Sequence, residues 1–220
     1  LGYSVAGGGS PTFTGTVNTG NQSVSVSSGW NLIGNPYPSS ISGTSFLATN
    51  SNTTGTLYFW SDDGSAGAGY NETADYATWN AGGATGATGG GSSTIPNGSV
   101  AIGQGYFVSV TSGSSISFNN GMRSGSDNSQ FFKSQDEIQR VWISAMAPEH
   151  SSQILFAFTE NATEGEDWSY DSKRFSSGSD FAFGSVLGEA SEPYAIQSFS
   201  DEDLQTRREI PLSIYSTESG

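Results

Sequence analysis

Four carboxylates in one short segment of the chain are spaced closely enough to bind a metal ion. The segment from residue 160 to residue 171 reads ENATEGEDWSYD and contains Glu164, Glu166, Asp167 and Asp171. Calcium prefers hard oxygen ligands of this kind, although their spacing does not match an EF-hand loop. Acidic side chains are mostly exposed in folded proteins, so the segment also fits a solvated turn whose carboxylates pair with Lys173 and Arg174. We favour the turn and keep calcium binding as the alternative.

A second acidic group follows an aromatic segment earlier in the chain. Asp62 and Asp63 stand directly before Gly64, and Glu72 and Asp75 lie beyond a glycine-rich stretch. An Asp-Asp-Gly sequence after a strand is first of all a turn signal. A calcium site here requires backbone carbonyls and a distant carboxylate to converge on one point. We favour the turn again, with Asp62 and Asp63 as the candidate calcium ligands.

Apart from these carboxylates, the chain contains few residues of the types that commonly carry out catalysis. The chain contains no Cys and a single His, His150, which argues against a thiol nucleophile, a histidine triad or a multi-histidine metal site. The acidic segments could serve a glycoside hydrolase or a lyase, but glycoside hydrolysis needs two carboxyl groups that face each other across a sugar. A polar loop rich in Gly and Ser does not shield a carboxylate from water, as the general acid of such an enzyme requires. We therefore expect a protein that is not an enzyme and requires no cofactor, with hydrolase or lyase activity as the less favoured hypothesis.

The tryptophans are candidates for ligand binding because an indole ring offers a large apolar face with a polar edge. Trp79 and Trp168 lie beside loops, and we name them as the candidate glycan-binding residues. Filling the core is the competing role of such rings, and we favour it even for these two. Trp142 in the apolar run Val141–Ile143, and Trp30 at the start of an apolar strand, are expected in the core.

Charge and composition restrict the possible partners. The formal net charge is −14, which disfavours nucleic acids and anionic membranes because like charges repel. The longest apolar runs, such as Ile154–Phe158, are too short to span a bilayer. Gly accounts for 30 of 220 residues and charged residues for only 13%. This composition is typical of exported, β-rich surface proteins.

The charge is also unevenly distributed, and this predicts a domain boundary near Met122–Asp127. Residues 1–122 contain no Lys or Arg and four acidic residues, whereas residues 123–220 contain all seven basic residues and the other 17 acidic ones. We predict a closing hairpin of a preceding unit at 1–22, a Gly- and Ser-rich β-sandwich at 23–122, and an acidic β-sandwich at 123–220 that stops short of a final strand. The hairpin rests on a short internal echo between Gly2–Val5 and Gly105–Val108.

The elements that position these residues are predicted to be short strands separated by Gly, Ser and Asn. Alternating or aromatic segments predict strands such as Leu57–Trp60, Tyr76–Trp79 and Tyr194–Phe199. The segments Tyr106–Val110 and Ser115–Phe118 are expected to pair as a hairpin. At most one short helix is expected, near residues 40–47. The fold class is therefore all-β, with two tandem β-sandwich domains of jelly-roll or immunoglobulin-like type.

A ten-residue block, Gly29-Trp30-Asn31-Leu32-Ile33-Gly34-Asn35-Pro36-Tyr37-Pro38, resembles a motif from very large secreted surface proteins of Bacteroidota. The resemblance continues in the same order through later segments: Leu57–Trp60, Tyr76–Asn80, Gly103–Val108, Phe118–Arg123, Phe131–Lys133, Arg140–Ile143, Ala162–Asp167, Tyr170–Asp171 and Tyr194–Gln197. From the residues alone, the prolines of the block end a strand ladder, so the block reads as a structural corner.

The resemblance implies a secreted protein at the cell surface, exported by the type IX secretion system and adhesin-like in function. It brings no catalytic residues that could be assigned to this chain. We therefore expect a non-catalytic extracellular adhesion or structural module of a large surface protein. Its partners would be an extracellular glycan or another surface protein, besides the neighbouring domains of the same polypeptide. The alternative is a carbohydrate-binding module attached to a polysaccharide-degrading enzyme.

Overall fold

The computed structural model describes residues 14–60, 76–87, 95–125, 139–147, 150–175, 181–188, 192–201 and 209–217. Strands dominate these ranges, which confirms the predicted β character of the chain. In chain order the strands are β1 (Gln22–Ser25), β2 (Gly29–Gly34), β3 (Ile41–Ser42), β4 (Leu57–Trp60), β5 (Tyr76–Trp79), β6 (Ala84–Thr85), β7 (Ser99–Val100), β8 (Gly105–Val110), β9 (Ser115–Phe118), β10 (Gln139–Met146), β11 (Ser151–Phe158), β12 (Ser172–Lys173), β13 (Phe181–Ser185), β14 (Tyr194–Phe199) and β15 (Leu212–Ser216).

The two helical segments described in full are α1 (Gly43–Thr49) and a 3-10 turn at Asn120–Met122. The Ser42 hydroxyl begins α1 by accepting a hydrogen bond from the backbone N–H of Ser45 at 3.2 Å, as a helix N-cap does. Neither helical segment approaches the length or hydropathy needed to cross a membrane, as far as the described ranges show.

The chain forms two compact units, and both are discontinuous in sequence. The first unit contains Leu1–Thr53 and Gly98–Phe131, and the second contains Thr54–Asn97 and Phe132–Gly220. The predicted boundaries instead divided the chain sequentially, at 22/23 and 122/123. The segment 54–97 is the difference, because it groups with the acidic C-terminal part. The proposed hairpin at 1–22 lies largely outside the described residues.

The first unit is built from three antiparallel strand pairs. β2 pairs with β8, β1 with β9, and β3 with β7. The side chain of Phe46, on α1, is fully buried, and its ring lies 5.5 Å from that of Tyr106 and 5.4 Å from that of Phe118. The predicted hairpin of Tyr106–Val110 with Ser115–Phe118 is therefore wrong. Both segments are strands, but each pairs with a strand from the beginning of the unit.

The Asn-Pro-Tyr-Pro block forms a corner at the end of β2. Asn35 is buried, and its side-chain amide donates to the carbonyl oxygens of Ser39, Val100 and Ala101 at 2.7–3.2 Å. Its side-chain oxygen accepts from the backbone N–H of Tyr37 at 3.0 Å. The predicted structural corner is thus confirmed, since one side chain ties the end of β2 to the segment after β7.

The second unit contains a mixed sheet with the strand order β10-β11-β14-β13-β15, and β12 also pairs with β14. The β11–β14 pair is parallel, and the other pairs are antiparallel. One face of this sheet carries a hydrophobic cluster of Ile154, Phe156, Phe183 and Phe199. His150 lies in the turn between β10 and β11, as its sequence context predicts, and its ring stacks on Phe181 at 6.0 Å.

A smaller antiparallel array of β4, β5 and β6 completes the described part of the second unit. The Tyr58 hydroxyl on β4 donates to the Lys173 carbonyl oxygen at 2.8 Å, and this bond ties the array to β12. Gly82 and Gly83, in the turn between β5 and β6, lie against the mixed sheet. A Cβ at Gly82 would come within 2.7 Å of the Ser198 hydroxyl, and one at Gly83 within 2.6 Å of the Leu155 side chain. Only glycine fits so close an approach.

Candidate functional site

Two of the carboxylates in the acidic loop (residues 160–171) bind backbone N–H groups. Asp171 accepts hydrogen bonds from the backbone N–H of Asp167 at 2.8 Å and from that of Ser198 at 2.7 Å. Asp167 in turn accepts a short hydrogen bond from the backbone N–H of Thr163. These bonds close the loop on itself and fasten it to β14. Both side chains therefore have a structural role in the loop.

Asp171 is the most enclosed of these carboxylates, with only 4% of its surface exposed. Burial raises the pKa of Asp171 to about 6, while the hydrogen bonds from Asp167 and Ser198 lower it and the charges of Asp167 and Glu166 raise it further. Desolvation penalises the charged form more than the two hydrogen bonds stabilise it. The loop therefore contains a carboxyl group that titrates above the usual range for Asp.

The expected pairing of the loop with nearby basic residues is half right. The Lys173 Nζ lies 3.0 Å from a Glu166 carboxylate oxygen and 5.9 Å from the centre of the Tyr194 ring. Both charged groups of this pair are partly exposed, so the pair adds little to stability. Arg174 points elsewhere. Its Nη2 donates to the Gln153 carbonyl oxygen, and no carboxylate in the described ranges pairs with it.

Calcium binding stays a prediction. Glu164, Glu166, Asp167 and Asp171 share one loop, but in the described part of the chain no three acidic or histidine side chains form a group that could hold a metal ion. Asp62 and Asp63 lie outside the described residues. Both carboxylate oxygens of Asp171 and one of Asp167 already accept backbone hydrogen bonds, so an ion bound by Asp171 would have to share its oxygens.

Three of the tryptophans adjoin the turn between β5 and β6. Trp79 is the last residue of β5 and stands opposite Ala84. The indole N–H of Trp142, on β10, donates to the Ala84 carbonyl oxygen at 3.1 Å. On the other side of the turn, the backbone N–H of Ala81 donates to the carbonyl oxygen of Ser169, the residue after Trp168, at 3.1 Å.

Gly55 holds the backbone of Trp168 in place. It has a φ of +72°, and a Cβ at this position would lie 2.2 Å from the Trp168 carbonyl oxygen. Gly55 precedes β4 by one residue, and Leu57 at the start of that strand stands opposite Trp79. The predicted pair Trp79 and Trp168 is therefore brought to one region of the second unit.

The turn itself is held by polar contacts. The Asn80 side-chain oxygen accepts from the backbone N–H groups of Gly82 at 2.9 Å and Gly83 at 3.2 Å. The Arg140 Nε donates to the Gly82 carbonyl oxygen at 3.0 Å. Trp142 and Arg140 therefore both reach from β10 to this turn. The ring of Trp142 has a fixed orientation, because its own N–H is bonded to the backbone.

The core assignments of two tryptophans were wrong. Trp142 is 43% exposed and Trp30 is 47% exposed, whereas Trp168, one of the predicted binding residues, is 48% exposed. Trp79 is half-buried. On β2 the side chains alternate as predicted, but Ile33 lies inside, while Trp30 and Leu32 face outward. Period-two alternation separates two faces of a strand but does not say which one is covered.

One family model matches the chain. A model described as a domain of unknown function (DUF8693) covers residues 7–220. The chain belongs to the DUF8693 family. No curated protein and no solved structure matches the DUF8693 chain.

Two residues of possible functional interest in the DUF8693 chain were missed by sequence reasoning. Trp142 was assigned to the core because it stands between Val141 and Ile143, yet β10 is an edge strand of its sheet. Arg174 was considered only as an ion-pair partner of the acidic loop. Alternation puts Ser172 and Arg174 on the same side of the chain, but the sequence does not show that this side is the covered one.

Proposed function

We propose that this DUF8693 chain is a non-catalytic extracellular module, used for adhesion or as a structural spacer in a large secreted surface protein. The observation that carries the proposal is the use of the acidic loop. Asp167 and Asp171 bind backbone N–H groups of the fold, and Glu166 pairs with Lys173. The side chains best suited to acid–base chemistry thus support a loop.

The composition favours a surface exposed to an extracellular environment. The chain is poor in Lys and Arg, rich in Gly and Ser, and contains no Cys. The block that resembles Bacteroidota surface proteins ends in a corner held by buried Asn35 and Tyr37, consistent with a scaffold role for that corner. We infer in the same way that the strands belong to two sandwich-type domains, of which the two compact units are the cores.

A turnover assay tests the non-catalytic part of this proposal. We expect the purified chain to release neither reducing ends nor unsaturated products from a broad panel of polysaccharides. Beads coated with the chain should nevertheless adhere to surfaces that carry an extracellular glycan or a surface protein. Turnover that is lost in the double variant Glu166→Gln, Asp167→Asn but retained in Asp201→Asn would establish the enzyme hypothesis instead.

Carbohydrate binding is a second candidate function, favoured by the tryptophans around the β5–β6 turn. Trp168 and Trp142 are both about half exposed, and Trp79 is half-buried beside them. Exposed indoles held in fixed orientations provide apolar faces at low entropic cost. The acidic composition of the chain favours neutral over anionic glycans, because like charges repel.

A glycan array with matched tryptophan variants tests this second candidate. Trp168→Ala should weaken binding to any neutral glycan that the parent chain retains by about tenfold, which corresponds to about 1.4 kcal/mol. Trp60→Ala is the control, because Trp60 is 52% exposed but stands at the other end of the β4–β5 ladder, opposite Tyr76. Equal losses in both variants, or no binding by the parent, would remove the proposed platform.

A further inference from the structure

Arg174 is a buried cation without an acidic partner in the described part of the chain. Its side chain is only 8% exposed. Nη2 donates to the Gln153 carbonyl oxygen, whereas Nε is enclosed and has no acceptor among the described residues. A buried guanidinium is costly unless an opposite charge and hydrogen-bond acceptors compensate for the lost water. Within the described ranges, therefore, no carboxylate compensates for the charge of Arg174.

Two carboxylates of the acidic loop, which precedes Arg174 in the sequence, do not supply that compensation. Asp171 binds the backbone N–H groups of the acidic loop and of β14, and Glu166 pairs with Lys173. The Tyr58 hydroxyl already donates to the Lys173 carbonyl oxygen. Burial raises the pKa of Tyr58 to about 12, so its hydroxyl is neutral at physiological pH.

A second unpartnered polar group lies beside the same end of β14. Ser185, the last residue of β13, stands opposite Tyr194, and its hydroxyl is buried without a hydrogen-bond partner among the described residues. The backbone N–H of Arg174 donates to the Pro193 carbonyl oxygen at 2.8 Å, which fixes Arg174 next to the start of β14 as well. Two unsatisfied donors, one of them charged, thus flank one strand end.

Aromatic rings pack against Phe175, the residue that follows Arg174. The Phe175 ring lies 5.9 Å from that of Tyr58 and 4.4 Å from that of Tyr76, and both tyrosines are buried. Electrostatic attraction is stronger in such a low-dielectric setting than in water. Anions are repelled by the overall charge of −14, so one would be retained only where a local cation outweighs that repulsion.

We propose that Arg174 binds a small oxyanion inside the second unit, with the Ser185 hydroxyl as an additional donor. Phosphate, sulfate and carboxylate ions share the required chemistry, because each presents oxygens that match the planar donor fork of a guanidinium. The anion supplies the negative charge that compensates for the buried guanidinium of Arg174. It acts as a structural ligand of the second unit, independent of the glycan platform at the β5–β6 turn.

Thermal unfolding with inorganic phosphate tests the site, at constant ionic strength maintained with sodium chloride. A ligand that binds only the folded state raises Tm in a saturable way. We expect this rise in the parent chain and in Arg140→Gln, whose guanidinium bonds to a backbone carbonyl, but not in Arg174→Met. Ser185→Ala should weaken the apparent phosphate affinity several-fold. Parallel series with sulfate and acetate identify which oxyanion is preferred. Equal responses in the parent and in Arg174→Met would overturn the proposal.

A measurement on the unmodified chain covers the case in which Arg174→Met does not fold. The Nε–H groups of arginine give separate signals in ¹H–¹⁵N NMR spectra, and that of Arg174 should exchange slowly because it is buried. Titration with phosphate should shift this one signal to saturation and leave that of Arg123 unchanged. An Arg174 signal that does not move across the titration would refute the site.

Discussion

The two units of the chain differ in how they satisfy their buried polar groups. In the first unit, Asn35 and Asn50 each make several hydrogen bonds to the backbone of distant segments. In the second unit, buried polar atoms of Arg174, Ser185 and Gln197 have no partner among the described residues.

The buried asparagines of the first unit are hydrogen-bonded, whereas the second unit contains buried polar groups that a further molecule could satisfy. Native proteins pair almost all buried polar groups, so a cluster of exceptions calls for water, an ion or a ligand. The hydrogen bonds of Asn35 and Asn50 link segments of the first unit to one another. The second unit, which also carries the tryptophans of the β5–β6 turn, is the better candidate for binding.

Asn35→Ala tests the hydrogen-bonded interior of the first unit and should have the largest effect on the free energy of unfolding. It removes donors to three carbonyl oxygens and the acceptor of the Tyr37 N–H, all in a buried corner. Leaving several such groups unsatisfied should lower the free energy of unfolding by about 3 kcal/mol. Denaturant titration provides the measurement. Asn18→Ala is the control, since Asn18 makes one exposed bond to the Pro36 carbonyl oxygen and should cost less than about 1 kcal/mol. Similar losses in both variants would contradict the assignment of Asn35 as the centre of the corner.

A pH titration of stability tests the second unit through Asp171. Its folded-state pKa of about 6 lies above the ordinary value, so the native state binds more protons between about pH 4 and pH 6. The destabilisation caused by the buried, ionised carboxylate is therefore fully present above pH 6 and disappears as the pH falls towards 4. The free energy of unfolding of the parent should rise by about 2 kcal/mol relative to Asp171→Asn as the pH falls from 7 to 4.

Asp201→Asn is the control for this titration, because Asp201 is an exposed carboxylate in the same unit. Its pH profile should run parallel to that of the parent. A parent profile parallel to that of Asp171→Asn would show that Asp171 is not the group that titrates.

The smallest effects on stability are expected when a single hydroxyl is removed from each unit. The two variants compare a hydroxyl that has a hydrogen-bond partner with one that has none among the described residues. The Thr53 hydroxyl in the first unit donates to the Asn50 carbonyl oxygen at 2.9 Å, so Thr53→Val should cost about 1 kcal/mol. Ser185→Ala in the second unit removes a hydroxyl without a described partner, and in phosphate-free buffer its effect should stay within about 0.5 kcal/mol. Thermal or denaturant unfolding measures both. A larger loss for Ser185→Ala than for Thr53→Val would reverse the contrast between the two interiors.

Local sequence signals predicted many elements but not their partners. Leu57–Trp60, Tyr76–Trp79 and Tyr194–Phe199 are strands with the predicted bounds, because aromatic and β-branched runs between turn residues favour extended backbone. The predicted pairing of β8 with β9 was wrong, since β8 pairs with β2 and β9 with β1. Neighbouring strands often form hairpins, but here the hydrophobic faces are buried against strands from far earlier in the chain.

The candidate site was predictable only in part, for a related reason. Trp79 and Trp168 were chosen from their loop contexts, but their convergence depends on Gly55 and the β5–β6 turn, which are tertiary features. Arg174 was missed because nothing in one sequence states that a cation points inward. Its burial follows from the pairing of β12 with β14, which local periodicity does not specify.

The strand order of the second unit also determines how it responds to mechanical load. β10 and β15 lie at opposite edges of the mixed sheet, and the pairings place the start of β10 and the end of β15 at the same end of it. Tension between these two points acts across the strands, along the direction of the antiparallel hydrogen bonds. Those bonds then break one after another, as in a zipper, instead of shearing together. A force applied between these two points would therefore lengthen this unit before its strands shear.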